Sequence, residues 1–137
     1  MIQRNLDIGR WHVEFYFATD GYDIDAVLDR LFDFGAGGST LRKALDLMES
    51  GELNQGFTFS NPYDRVALVM VGPTTSGKQF QNTFTHELRH LINGIARSLG
   101  VVLDSEASSY MTGDTAMALA DVVCRLGCDT CRDTEML

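Results

Sequence analysis

Between residues 78 and 99 the chain carries two stripes at once, and together they fix what this stretch must become. Phe84, Leu88, Leu91, Ile92, Ile95 and Leu99 recur at three- and four-residue intervals, the spacing of one face of an α-helix. His86, His90, Asn93 and Arg97 form a second stripe beside it. Ser76 stands where a residue could cap the start of the helix, and Gly100 where one could close it. A helix over about residues 78–99 is therefore expected, buried on one side and chemically equipped on the other.

The equipment is His86-Glu87-Leu88-Arg89-His90. Residues four apart on a helix sit one above the other, so the two imidazoles can grip one metal ion. Glu87 is one step round, where it flanks such an ion without having to bind it and can take a proton from water. The chain holds three histidines and six glutamates. At that composition His-Glu-x-x-His is expected by chance on the order of 0.003 times per chain, so the pattern is a signal whose surroundings decide its meaning.

The rest of the chain reads as completion for this helix. In 11–18, Trp11, Val13, Phe15 and Phe17 alternate with His12, Glu14 and Tyr16, which predicts a half-buried strand; His12 falls on its other face and receives no role. Asp23 is placed to cap a helix bearing Val27, Leu28 and Leu31, and Ser39 a second one bearing Leu41, Ala44, Leu45 and Met48, stopped by Gly51. Residues 56–60, the Asn61-Pro62-Tyr63-Asp64 turn and 65–71 read as strand, turn, strand. The continuous apolar run from Val66 to Val71 suits an inner strand. A last long helix is expected from Asp104 or Ser105, with Ala107, Met111, Ala118 and Val122 among its apolar residues. The order predicts an α+β single domain over 1–137, a small, mostly antiparallel sheet against helices.

Composition excludes several classes. The chain is 45% hydrophobic, enough for one core, and its net charge of −8 offers no basic surface for nucleic acid or anionic membrane. No apolar run approaches a membrane span, and the first residues lack a secretory core. An odd number of cysteines, all within 124–131, argues against a disulfide framework. A reducing cytoplasm is the expected location.

Zinc needs at least one further protein ligand. The metzincin pattern would put Gly and His where this chain has Asn93 and Ala96, which excludes it. A carboxylate from the following helix is the other common solution. Glu106, sixteen residues after His90 and beyond one tight loop, is the leading candidate, with Asp104 and Asp114 as fallbacks; a glutamate there also suits a helix N-terminus on electrostatic grounds alone. Tyr110, one turn on, can donate a hydrogen bond to a developing oxyanion or simply anchor the helix pair with its ring.

Thr85-His86-Glu87-Leu88-Arg89-His90, then Gly100-Val101-Val102-Leu103-Asp104, then the run Glu106-Ala107-Ser108-Ser109-Tyr110-Met111-Thr112-Gly113 resemble small single-domain gluzincin-type proteins. These are zincin-like metallopeptidases of bacteria, phages and mobile elements. The hairpin beginning Gly56-Phe57-Thr58-Phe59-Ser60-Asn61 is similar too, so the resemblance spans about residues 55–113. It implies a zincin-like fold, Zn²⁺ held by His86, His90 and Glu106, Glu87 as catalytic base, and a peptide or protein substrate. One departure is that larger gluzincins often place Asp four residues after the ligand glutamate, where this chain has Tyr110.

The resemblance also implies an edge strand beside the cleft for an extended substrate. Val66–Val71 is too uniformly apolar for an exposed edge, so 56–60 is the expected rim, with Thr58 and Ser60 on one face and Phe57 and Phe59 on the other; the competing arrangement puts 11–18 on that edge and the hairpin inside the sheet. Two rival motifs carry less. Gly72-Pro73-Thr74-Thr75-Ser76-Gly77-Lys78 fits a Walker A spacing, but Gln79 replaces the magnesium-binding hydroxyl and no later strand supplies a partner aspartate. Cys128 and Cys131 form Cys-x-x-Cys with no fourth ligand nearby for metal. The expected function is zinc-dependent peptide hydrolysis, and the alternative is a catalytically inactive zincin-fold module that binds metal or partners.

Overall fold

The computed structural model describes residues 1–135, and its elements run in the order β1 (Ile2–Ile8), β2 (Trp11–Phe17), a 3-10 turn (Gly21–Asp23), α1 (Ile24–Asp33), α2 (Gly38–Ser50), β3 (Gly56–Asn61), β4 (Val66–Val71), α3 (Gly77–Leu99), α4 (Glu106–Ala118), α5 (Ala120–Gly127) and α6 (Asp129–Glu135). The fold is α+β. Its sheet has the order β1-β2-β4-β3. β1 and β2 are antiparallel, as are β3 and β4, whereas β2 and β4 run parallel. Two of the three pairings are thus antiparallel, as expected, and the parallel one makes the sheet mixed. The cause is the α1–α2 connection, which carries the chain away from β2 before the β3–β4 hairpin returns beside it.

β1 is the strand that pattern reading missed. It pairs with β2 from Ile2 opposite Phe17 to Ile8 opposite Trp11, through a two-residue turn in which Gly9 and Arg10 both have positive φ (55° and 70°). That is the turn twist a tight hairpin favours. Ile2 and Leu6 pack against the core while Gln3, Asn5 and Asp7 face solvent. Arg4 interrupts the apolar face, and a polar edge strand of this kind shows little alternation in sequence.

Helices cover both faces of the sheet. On one, Trp11, Val13, Phe15 and Phe17 of β2 and Val69 and Val71 of β4 pack against Phe80, Phe84, Leu88, Leu91 and Ile95 of α3. On the other, Tyr16, Leu68 and Met70 meet Val27 and Leu31 of α1 and Ala44 and Met48 of α2. β2 is therefore covered on both sides, not half-buried as alternation predicts, and this puts Glu14 in the interior at 4% exposure. Its carboxylate accepts bonds from Arg30 Nε (3.0 Å) and Nη2 (2.7 Å) and from the Tyr16 hydroxyl (2.7 Å), and His12 Nε2 lies 3.0 Å away. Burial pushes its pKa up, but the hydrogen bonds from Arg30, Tyr16 and His12 outweigh this and hold it at about 2. His12 thus has a partner after all.

Capping chemistry sets several helix boundaries, though not at the two expected caps Asp23 and Ser39. Ser76 accepts from Gln79 N (3.1 Å), Ser105 from Ser108 N (3.2 Å), and Gly51 and Gly100 close α2 and α3 in the left-handed conformation. Asp23 precedes α1 without making a cap bond; Asp20 caps the preceding turn and the two aspartates form a reciprocal box. Ser39 lies inside α2, whose N-cap is Gly37. The single long C-terminal helix is broken into three. Leu119, fully buried, marks the first break, and the second falls at Cys128, whose backbone is extended. No helix among the described residues is long and apolar enough to cross a membrane.

Candidate metal centre and its cleft

α3 is held by its buried stripe, and this fixes the direction of the other one. His86 and His90 stand on the solvent side, with their rings nearly perpendicular (83°) and their Nε2 atoms 3.2 Å apart. Two nitrogens bound at ~2.0–2.1 Å to one tetrahedral ion lie roughly 3.3–3.4 Å from each other. The imidazole pair fits that bite.

Glu87, one residue on, is 6% exposed. The Thr58 hydroxyl of β3 donates to its Oε1 at 2.7 Å, and its Oε2 lies 4.0 Å from His86 Nε2. One oxygen is thus anchored to the sheet and the other is turned toward the histidines. The approach of β3 depends on Gly56, since a Cβ there would stand 2.6 Å from Glu87 Cγ. Thr83, buried one turn before Glu87, donates to the carbonyl of Asn54 (3.2 Å) and pins the segment leading into β3.

β3 pairs only with β4, so its other edge is open. Thr58 turns to α3, and Ser60 lies 3.1 Å from where a Cβ on Gly94 would stand, while Phe57 and Phe59 pack toward α2. The edge position and facing expected for 56–60 are both observed. A cleft of about 760 Å³ runs along this edge, with His86, Glu87 and His90 on one wall. The opposite wall comes from α2 and the residues after it, including Lys43, Asp46, Ser50 and Glu52. Nothing in the hydrophobic pattern marks those four residues, because the wall forms only when α2 folds over the sheet.

Glu106 does not join the histidines. Among the described residues no group of three His, Cys, Asp or Glu side chains is arranged to hold a metal ion. The reason lies in how α4 docks. It lies along the Thr85 and Arg89 side of α3, facing it with Ser108, Ser109 and Thr112. α4 buries Ser108 and Thr115, and Glu106 and Tyr110, each two residues from Ser108, lie roughly 200° round the helix on the outer side. Tyr110 is 67% exposed and does not line the cleft that holds His86, Glu87 and His90. Of the fallbacks, Asp104 pairs with Arg89 (3.3 Å) and Asp114 borders a groove beside β1. The residues present therefore fit two zinc positions and not the third.

The Walker-like stretch is built into packing. Gly77 opens α3, and a Cβ on it would fall 2.4 Å from the carbonyl oxygen of Gly127. Its N–H donates to Asp129 Oδ1 (2.7 Å), and Arg132 holds Thr74.

Comparison with known proteins finds no matching family model, no similar curated protein and no similar solved structure. The likeness to gluzincins thus rests on the residues of this chain alone.

Proposed function

We propose that this protein is a metal-dependent hydrolase acting on peptide bonds, with His86 and His90 supplying two of the ligands of a zinc ion. The observation that carries this reading is the 3.2 Å separation of the two Nε2 atoms beside a buried carboxylate. Zinc, when bound, supplies Lewis acidity toward a carbonyl and lowers the pKa of water to about 7. The chain's own part is proton transfer and positioning. Glu87 Oε2 accepts the proton from attacking water and returns it to the leaving nitrogen. Thr58 keeps Oε1 occupied, so the two oxygens have separate tasks. The open edge of β3 offers backbone donors and acceptors to an extended chain.

A second reading, a non-catalytic metal-binding or interaction module, is favoured by one observation: no third protein ligand converges among the described residues. Metal analysis of the purified protein, joined to a proteolysis screen of wild type and Glu87→Gln, separates the two. Hydrolysis lost in Glu87→Gln at unchanged zinc content supports the enzyme. Zinc bound with no cleavage supports the module, and no zinc in either protein defeats both.

A further inference from the structure

The cleft beside β3 has two unlike ends, because its walls run along the strand in opposite senses. Asn61, at the end of β3, donates to Phe34 O (2.9 Å), close to where the chain enters α2. At the start of β3, Gln55 lines one small cavity together with Leu47, Gly51 and Glu52. α2 therefore runs antiparallel to β3, with its C-terminus at the Gly56 end. α3 runs the other way along the strand: Thr58 bonds Glu87, and Ser60 lies against Gly94. Glu87 thus stands toward the Gly56 end of the cleft and His90 toward the Ser60 end.

The α2 wall carries charge in the same order. Lys43, Asp46, Leu47 and Ser50 recur at three- and four-residue spacing and turn one helix face to the cleft. Lys43 and Ser50 are separated by roughly 10 Å along the helix axis, and Glu52 lies beyond Ser50. Lys43 therefore faces the His90 half of the cleft and Glu52 the Glu87 half. Asp46 is already paired with Arg42 at 3.3 Å. Lys43 and Glu52 have no ion-pair partner among the described residues. One half of the cleft thus presents an uncompensated cation and the other an uncompensated anion. Of the residues lining it, Leu47 and Phe57 alone are large and apolar, so no apolar pocket is on offer to select a side chain. Discrimination falls to charge, while the open backbone edge of β3 holds any extended sequence alike.

We infer that the cleft selects an extended peptide with an acidic side chain on the Lys43 side of the histidine pair and a basic side chain on the Glu52 side. This rests on the reading of the cleft as the place where substrate lies, and it adds a charge order to that reading. Antiparallel pairing is slightly the more stable for a strand added to β3. A peptide laid that way runs from the Ser60 end to the Gly56 end, so its acidic residue comes first and its basic residue second.

The test is a binding measurement, so it does not wait on catalysis. Short fluorescent peptides of one composition are titrated with the metal-free full-length protein and read by anisotropy: one acid-first, one base-first, and a third with both charges replaced by glutamine. The acid-first peptide is expected to bind about three- to tenfold tighter than the other two, with the margin shrinking as salt is raised. Lys43→Glu joined to Glu52→Lys, both at exposed positions, is expected to reverse the preference to the base-first peptide. Equal binding of the three, no binding of any, or a preference that survives the charge swap would overturn the inference. Adding zinc separates it from the hydrolase reading. Cleavage without charge preference defeats the charge order alone, and charge-ordered binding without cleavage leaves the charge order standing and defeats the hydrolase.

Discussion

The molecule buries two carboxylates to nearly the same depth, Glu14 at 4% and Glu87 at 6% exposure, and treats them in opposite ways. Glu14 lies in an inner strand with its oxygens engaged by Arg30, Tyr16 and His12. Glu87 lies on a helix beside an open cleft with one hydroxyl on one oxygen. Burial alone therefore says nothing about function. What distinguishes the two is which lone pairs are already spent: Glu14 has both oxygens engaged, whereas Glu87 has Thr58 on Oε1 and keeps Oε2 turned toward His86.

The largest effect expected from breaking this contrast is at Glu87. Glu87→Gln keeps the shape and the acceptor for Thr58 but removes the base, so hydrolysis is expected to fall about 10²–10⁴-fold while zinc per chain, read by elemental analysis, stays unchanged. His90→Ala is expected to lose both. Retained activity in Glu87→Gln would sink the proposed mechanism.

The Glu14 side of the contrast is a matter of stability. Arg30→Met leaves the buried carboxylate with Tyr16 and His12 only, a loss expected to cost about 2–3 kcal/mol, measured by denaturant unfolding. The sign of the pH dependence follows from a native pKa of about 2 against an ordinary 4.5. The native state binds the proton more weakly than the unfolded chain does. The contribution is therefore complete above about 4.5 and is lost as pH falls toward 2. Arg30→Met is expected to move the acid-unfolding midpoint upward; an unmoved midpoint would mean that Glu14 is not the group responsible.

Thr58 is where the comparison can be sharpened. Thr58→Val frees Glu87 Oε1 without changing side-chain volume much, and is expected to reduce turnover about tenfold with zinc content intact. Thr58→Ser restores the hydroxyl and is expected to recover most of that loss. A valine variant as active as wild type would show that Glu87 needs no anchor.

How far these features were legible in sequence depends on the range of the interaction. The caps of α3, its apolar stripe from Phe84 to Ile95, the inner position of Val66–Val71 and the facing of Thr58 against Phe57 are legible locally and are observed, whereas Leu99, the last residue of the expected stripe, is 43% exposed. β1 escaped because Arg4 sits among its inward residues. The α2 wall and the Thr58–Glu87 bond escaped because they arise when elements distant in sequence meet. Glu106 failed for a related reason. Sequence gives its spacing from His90 but not the rotation of α4, and that rotation is set by which residue packs inward, here Ser108.

The smallest expected effect concerns that same helix. The gluzincin resemblance makes Glu106 a zinc ligand, whereas the docking of α4 leaves it exposed on the first turn. Glu106→Gln removes the charge and keeps the size, so the two readings separate cleanly. A true ligand would cost most of the bound zinc, because a neutral amide is a poor substitute for a carboxylate on this ion. With Glu106 outside the centre, zinc per chain is expected to stay at its wild-type value. The residual effect is then the loss of a favourable negative charge near the α4 N-terminus, about 0.3–1 kcal/mol of stability and reduced by salt. Isothermal titration of zinc into the metal-free variant reads the first quantity, and thermal unfolding at low and high salt reads the second. Zinc affinity that collapses in Glu106→Gln would mean that α4 rotates when metal binds, and the separation between the histidine wall and the outer face of α4 would no longer hold.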